Sequence, residues 1–346
     1  MKLNYIATLL ILVGLITHGQ AAEKKPVLTL MTHDSFAVGE EVLARFEQQQ
    51  GITLKIIKGG DAGATLNQAI LSRANPLADV FFGVDNTFMS RALDADIFMA
   101  YASPQLARIP PDLKLDPENR LLPVSYGDVC LNYDRQWFRD KGIKPPQDLD
   151  DLLKPAYKGL TVVQNPATSS PGMAFLLATL GRYGEEGYRN FWRQLRASDV
   201  YIANGWTDAY YGQFTRAKGG TRPIVVSYAS SPAAEVFYSE TKLDDAPTAA
   251  VLAPQTAFRQ IEFVGILKGT RQPELAARLV DFMLGADFQQ DIPLHMWVFP
   301  ADPAIPLPDV FVTYTRKAEN PVMLTPGVIE TGREKWLEAW TETVLR

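Results

Sequence analysis

Short apolar runs alternate with amphipathic segments along most of this chain, and that rhythm limits the fold more than any other feature. Residues 27–31 read as a strand, and 39–49 as a helix with Val42, Leu43 and Phe46 on one face. A second strand is expected at 54–57, and a second helix at 64–74 with Leu66, Ile70 and Leu71 inward. A third strand follows at 78–83. Units of this length imply parallel pairing, because a helix must carry the chain back before the next strand runs the same way. The pattern resumes with strands at 160–163, 200–202 and 224–228. Two longer strand candidates, 126–133 and 258–267, interrupt it. Two lobes joined by extended crossover strands would give this layout. The expected class is α/β, with lobe I at 24–124 plus 267–346 and lobe II at 125–266. A helix is expected at 273–284. The last helix, near 325–345, opens on Thr325-Pro326-Gly327, an N-cap followed by proline at the first helical position.

The first residues say where the protein works. Lys2 is followed by an apolar run at 5–17 and by Gly19-Gln20-Ala21, a small-x-small pattern. A cleavable secretory signal peptide is expected at 1–21, with no cysteine at its end to carry a lipid. No later segment is long and apolar enough to span a bilayer. The expected product is a soluble periplasmic protein. The single cysteine, Cys130, lies in the apolar run Val129-Cys130-Leu131 and reads as a packing residue. Apolar residues make up 47% of the chain, enough to stabilise two lobes by burial alone. The formal charge of −5 becomes −6 once Lys2 is lost, which argues against nucleic acid as a partner.

In open α/β sheets, ligands bind beyond the carboxyl ends of the strands. The strand exits here carry His33, Asp34 and Ser35; Asp61 after Gly59-Gly60; Asp85; Thr168, Ser169 and Ser170; Gly205-Trp206; and Tyr228. The stretch NGWTDAY at 204–210 is the sharpest of these. Thr207 reads as the N-cap of a helix, with Trp206 beside it. An anion could rest on the amides of that terminus and a flat or cationic ring on the indole. Each candidate also has a plainer reading. Ser170-Pro171 and Ser231-Pro232 are ordinary helix starts. Asp34 and Asp85 read as caps or turn residues. Asp61 reads either as a turn residue or as a carboxylate facing a ligand cation.

Enzyme chemistry finds little support. Only His33 and His295 lie beyond the expected signal, and no G-x-S-x-G elbow, phosphate-binding loop or zinc motif is present. A two-lobed exported protein without catalytic groups fits a binding protein that closes on its ligand.

Seven stretches carry a resemblance: TLMTHDSF (29–36), ADVFFGVDN (78–86), PVSYGDVCLNYD (123–134), QNPATSSPG (164–172), NGWTDAY (204–210), VVSYASSPA (225–233) and IPLHMWVFP (292–300). Together they resemble the periplasmic thiamine-binding proteins of ABC importers. The resemblance implies a type-II periplasmic binding protein fold, two doubly wound lobes joined by crossover strands. It implies a ligand that is thiamine or its mono- or diphosphate, an ABC permease as partner, a monomeric state, no cofactor and no resident metal. By the same resemblance Asp61 engages the ligand. Trp206, Tyr228 and Trp297 wall its rings. Ser169 and Ser170, with the Gly205-Trp206 backbone, take the hydroxyethyl or phosphate end.

Three positions depart from the pattern: His33 and Ala234 stand where the family carries tyrosine, and Ala167 where it carries arginine. His33 is counted with the ligand-binding residues and adds a group that titrates near neutral pH. The alternative within the same fold is a carrier of ferric ion or of another small organic cation or phosphate. Ferric carriers have a histidine at the first strand exit, but their tyrosine pair would fall at Tyr228-Ala229, where only one tyrosine remains.

Overall fold

The structure is a computed structural model that describes residues 25–346, so the expected signal peptide lies outside the described residues. Its strands are β1 (Val27–Thr32), β2 (Thr53–Lys58), β3 (Val80–Asp85), β4 (Phe98–Met99), β5 (Leu122–Asp134), β6 (Thr161–Gln164), β7 (Tyr201–Ala203), β8 (Ile224–Tyr228), β9 (Thr248–Val251), β10 (Phe258–Leu267) and β11 (Phe299–Pro300). They form one sheet in the order β2-β1-β3-β10-β5-β8-β6-β7, with β4 beside β10, and β9 and β11 beside β5.

The βαβ rhythm is realised twice. β1, β2 and β3 pair in parallel, and so do β6, β7 and β8. Between these trios stand β5 and β10, antiparallel to each other, to β3 and to β8. These are the two expected crossover strands, and they join two doubly wound halves as in type-II binding proteins. β3 lies between β1 and β10, so all of VFFGVD is buried and the run is apolar without alternation. β2 forms one edge of the sheet. Its exposure alternates, and Lys55 and Lys58 discourage pairing with another chain.

Local signals set the helix limits. Helix Glu40–Gln50 stops at Gly51, which takes the left-handed conformation. Helical segment Ser170–Ala197 is two helices joined at Gly184, whose φ of 70° and ψ of 176° break the path. Helix Pro326–Val344 is capped by Thr325, whose hydroxyl accepts the Val328 N–H. Its Trp340 packs edge-on against Trp192. Cys130 is fully buried, and burial pushes its thiol pKa up, as fits a packing residue.

Asp85 ends β3 in a turn, as expected, but is completely buried. Its Oδ1 accepts the Thr87 N–H at 2.6 Å, and its Oδ2 faces Gln260 Nε2 at 3.3 Å. Burial raises its pKa to about 7. A raised folded-state value gives stability that is full below the unfolded pKa and lost as pH rises through about 7. Asp85→Asn cannot ionise. Relative to the wild type it should gain roughly 2–4 kcal/mol at pH 8 and little near pH 4, as melting curves at the two values would report.

Candidate functional site between the two halves

The carboxyl ends of both strand trios open on one cleft of about 500 Å³. His33 and Asp34 enter it from the end of β1, Asp61 from beyond β2, Ser170 from beyond β6, Trp206 from beyond β7 and Tyr228 from the end of β8. Trp297 enters between helix Ala286–His295 and β11. Its φ of 56° is left-handed, and its carbonyl accepts a hydrogen bond from the Ser230 hydroxyl. Six of the eight expected site residues therefore line one space. Ser169 and Gly205 sit just behind it, against Asp61.

Asp61 is the centre of this arrangement. Its Oδ1 accepts the N–H of Ala62 at 2.7 Å and of Ser170 at 3.2 Å. Its Oδ2 accepts the N–H of Trp206 at 2.9 Å. One carboxylate thus meets the starts of three helical segments: Ala62–Leu71 in its own half, and Ser170–Ala197 and Trp206–Asp208 in the other. The amides expected to receive a ligand's hydroxyethyl or phosphate end are held here by the protein itself. Gly205 permits the approach. A Cβ at that position would stand 2.9 Å from Asp61 Oδ2, so a side chain would push the halves apart. Burial raises the Asp61 pKa above the ordinary carboxylate value, while the Trp206 and Ala62 amides and the His33 charge pull it down.

This carboxylate corrects the expected caps. Thr207 does not cap its helix, which begins after Gly205; its hydroxyl donates to Asp34 Oδ2 at 3.1 Å. The acceptor for the Trp206 amide comes from the opposite half, so no local cap is required. The helix then passes into a π turn over Ala209–Gln213, closed by Phe214 N–H on the Ala209 carbonyl. Ser169, not Ser170, caps the helix of 170–197, accepting the Gly172 N–H at 3.5 Å. Ser231 does not cap either. It hydrogen-bonds Ser227 Oγ at 2.8 Å and accepts the Tyr228 N–H at 3.3 Å.

Aromatic rings form two of the walls. Trp206 stacks on Tyr210 with centroids 5.0 Å apart and planes 16° apart, and Tyr211 stands edge-on to it. The indole N–H donates to Ser227 at 2.9 Å, which fixes the ring. Trp297 packs against Phe237, Tyr238 and Phe311. Tyr228 is held from behind, its hydroxyl 3.1 Å from Gln260 Oε1.

The sequence reading missed the acids and several rings. Glu235 and Glu262 line the cleft, as do Gln260, Tyr210, Tyr211 and Tyr238. Gln260 and Glu262 sit two apart on β10, so a polar alternation within an apolar crossover strand was the available signal. Tyr210 and Glu235 join across the wall, hydroxyl to carboxylate, at 2.7 Å. Among the described residues neither histidine is paired with a serine: His33 faces Glu262, and His295 faces Asp291.

The sequence matches the profile of the family described as bacterial extracellular solute-binding protein over residues 75–318. The chain is 31% identical over 328 residues to the thiamine-binding periplasmic protein of Salmonella typhimurium, spanning 93% of this chain and 94% of that protein. Its backbone is similar to a solved periplasmic thiamin binding protein, with a TM-score of 0.83 at 28% identity, covering 96% of this chain and 100% of that one. Iron-bound HitA from Pseudomonas aeruginosa gives a TM-score of 0.75 at 19% identity over 92% of this chain and 99% of its own, a likeness of fold alone. A two-sided cleft at the strand ends and similarity along nearly the whole length agree: the chain belongs to the bacterial extracellular solute-binding proteins.

Proposed function

We propose that this protein captures thiamine, or a phosphate ester of it, in the periplasm and delivers it to an ABC importer. The observation that carries the reading is an acidic floor, Asp61 and Glu262, beneath walls made by Trp206 and Trp297. A ligand with a cationic thiazolium and a flat aminopyrimidine matches both features, because carboxylates and π-faces each attract an organic cation. The relatives named thiamine-binding periplasmic proteins support it. On this reading the lobes fall at 24–124 plus 267–346 and at 125–266, with β5 and β10 as hinge strands. The protein acts as a monomer and without catalysis. Thiamine has no anionic group to compete for the Ser170 and Trp206 amides, whereas a phosphate ester has to displace the Asp61 carboxylate from them.

Two departures from the family pattern have local answers. Ala234 lines the cleft, and Tyr238, one helical turn later, lines it too. Tyr238 offers aromatic surface at the mouth in place of a ring at 234. Ala167 is exposed and outside the cleft lining. Iron is the weaker reading. Tyr228 is followed by the buried Ala229, and Tyr210 is committed to Trp206 and Glu235. Ferric citrate should therefore produce no tyrosinate absorbance in the visible range.

Tryptophan fluorescence tests the reading. Two of the six tryptophans line the cleft, so thiamine should quench part of the emission and raise the melting temperature. Neither effect at about 1 mM thiamine would remove thiamine as the ligand, since this corresponds to binding weaker than ~4 kcal/mol.

A further inference from the structure

We propose that His33 is an exchangeable counterion of the cleft floor: a cationic ligand takes the place of its charge opposite Glu262, and one proton leaves the protein as the ligand binds. The inference rests on the thiamine reading and goes beyond it, because His33 stands where the resemblance places a neutral tyrosine.

Three basic side chains line the cleft, His33, Arg216 and His295. Arg216 is matched to Glu235 at 3.5 Å, and His295 to Asp291 at 3.0 Å. That leaves His33 as the cation facing the floor acids among the lining residues. Its Nε2 stands 3.3 Å from Glu262 Oε1, an ion pair outside good hydrogen-bond alignment. Glu262 is held in place by Ser125 Oγ at 2.9 Å.

The ring is tightly seated. Gly83 of β3 makes room for it, since a Cβ there would lie 2.5 Å from His33 Cδ2, and Phe82 packs at 5.7 Å. The charged groups around it come from three elements: Glu262 from β10, Asp61 from beyond β2 and Asp34 from its own turn. Lys58 of β2 is turned to the carbonyls of Asp34 and Phe36. Burial lowers the imidazole pKa, but Glu262, then Asp61 and Asp34, raise it above its ordinary value. The acids thus favour the protonated form of His33 in the free cleft.

A ligand cation entering this low-dielectric floor repels the imidazolium and supplies the charge that Glu262 needs. The balance is simple: protonated protein plus thiamine cation gives the complex plus one proton to buffer. Lower pH therefore weakens binding, and the dependence vanishes above the His33 pKa.

Calorimetric titration with thiamine in buffers of different ionisation enthalpy counts the protons. Near pH 6 the wild type should release close to one proton, and its Kd should rise roughly tenfold for each unit of pH below the His33 pKa. His33→Gln should release only what the ligand itself exchanges, and should lose the part of the pH dependence that His33 supplies. Glu262→Gln should move the His33 proton resonance of the free protein to a lower midpoint, which checks the pair without ligand. Thiamine binding with the same proton count in wild type and His33→Gln overturns the inference and leaves the thiamine reading intact. No thiamine binding at any pH overturns both.

Discussion

Replacing Asp61 with alanine is expected to raise the Kd for thiamine by about 100-fold, equivalent to ~2.7 kcal/mol. The loss has two sources. The variant removes a carboxylate from the floor on which the ligand cation rests. It also leaves the Ser170 and Trp206 amides without the acceptor that joins the halves. In an open cleft those amides meet water, so the cost, about 1–3 kcal/mol for each buried orphan, falls on the closed state. Asp61→Asn keeps the shape and one acceptor oxygen, and should fall between the two. The loss should be smaller for thiamine monophosphate, because its phosphate can take the vacated helix starts. Isothermal titration of the three proteins with both ligands measures all of this. A Kd for Asp61→Ala within about threefold of the wild type would show that the carboxylate neither closes the cleft nor meets the ligand.

Trp206→Ala is expected to weaken thiamine binding by roughly 10–100-fold, or ~1.4–2.7 kcal/mol. Stacking of one ring on another contributes about 0.5–1.5 kcal/mol beyond the area buried, and a cation over an indole adds a similar amount. The ring is held in advance by Tyr210 and by its hydrogen bond to Ser227, so little order is lost when a ligand lands on it. Trp206→Phe keeps a π-face but not that hydrogen bond, and should recover part of the affinity. The alanine variant should also lose much of the thiamine-dependent quenching. Unchanged affinity in Trp206→Ala would place the ligand elsewhere in the cleft.

The legible part of the fold was the part written in periodicity. Apolar runs gave β1, β3, β8 and β10 to within a few residues, and the two long strands gave the crossover. The carboxyl-end rule alone brings His33, Asp61, Ser170, Trp206 and Tyr228 to one place. Contacts between the halves were not legible, because they depend on how the lobes meet. Thr207, Ser170 and Ser231 all look like caps from local sequence. In the fold Asp61 serves the Trp206 amide from more than a hundred residues away, and Ser231 turns back to Ser227. Glu262 escaped notice for a related reason. It lies inside an apolar strand, and its meaning appears only when His33 is set beside it.

On the proposed function, the cleft holds a thiamine cation between acids and tryptophans. Isothermal titration of the purified wild-type protein with thiamine at pH 7.5 tests it most directly. Saturable binding of one thiamine per chain is expected, with a Kd of about 1 µM or tighter. Heat indistinguishable from dilution at ~1 mM ligand would contradict it.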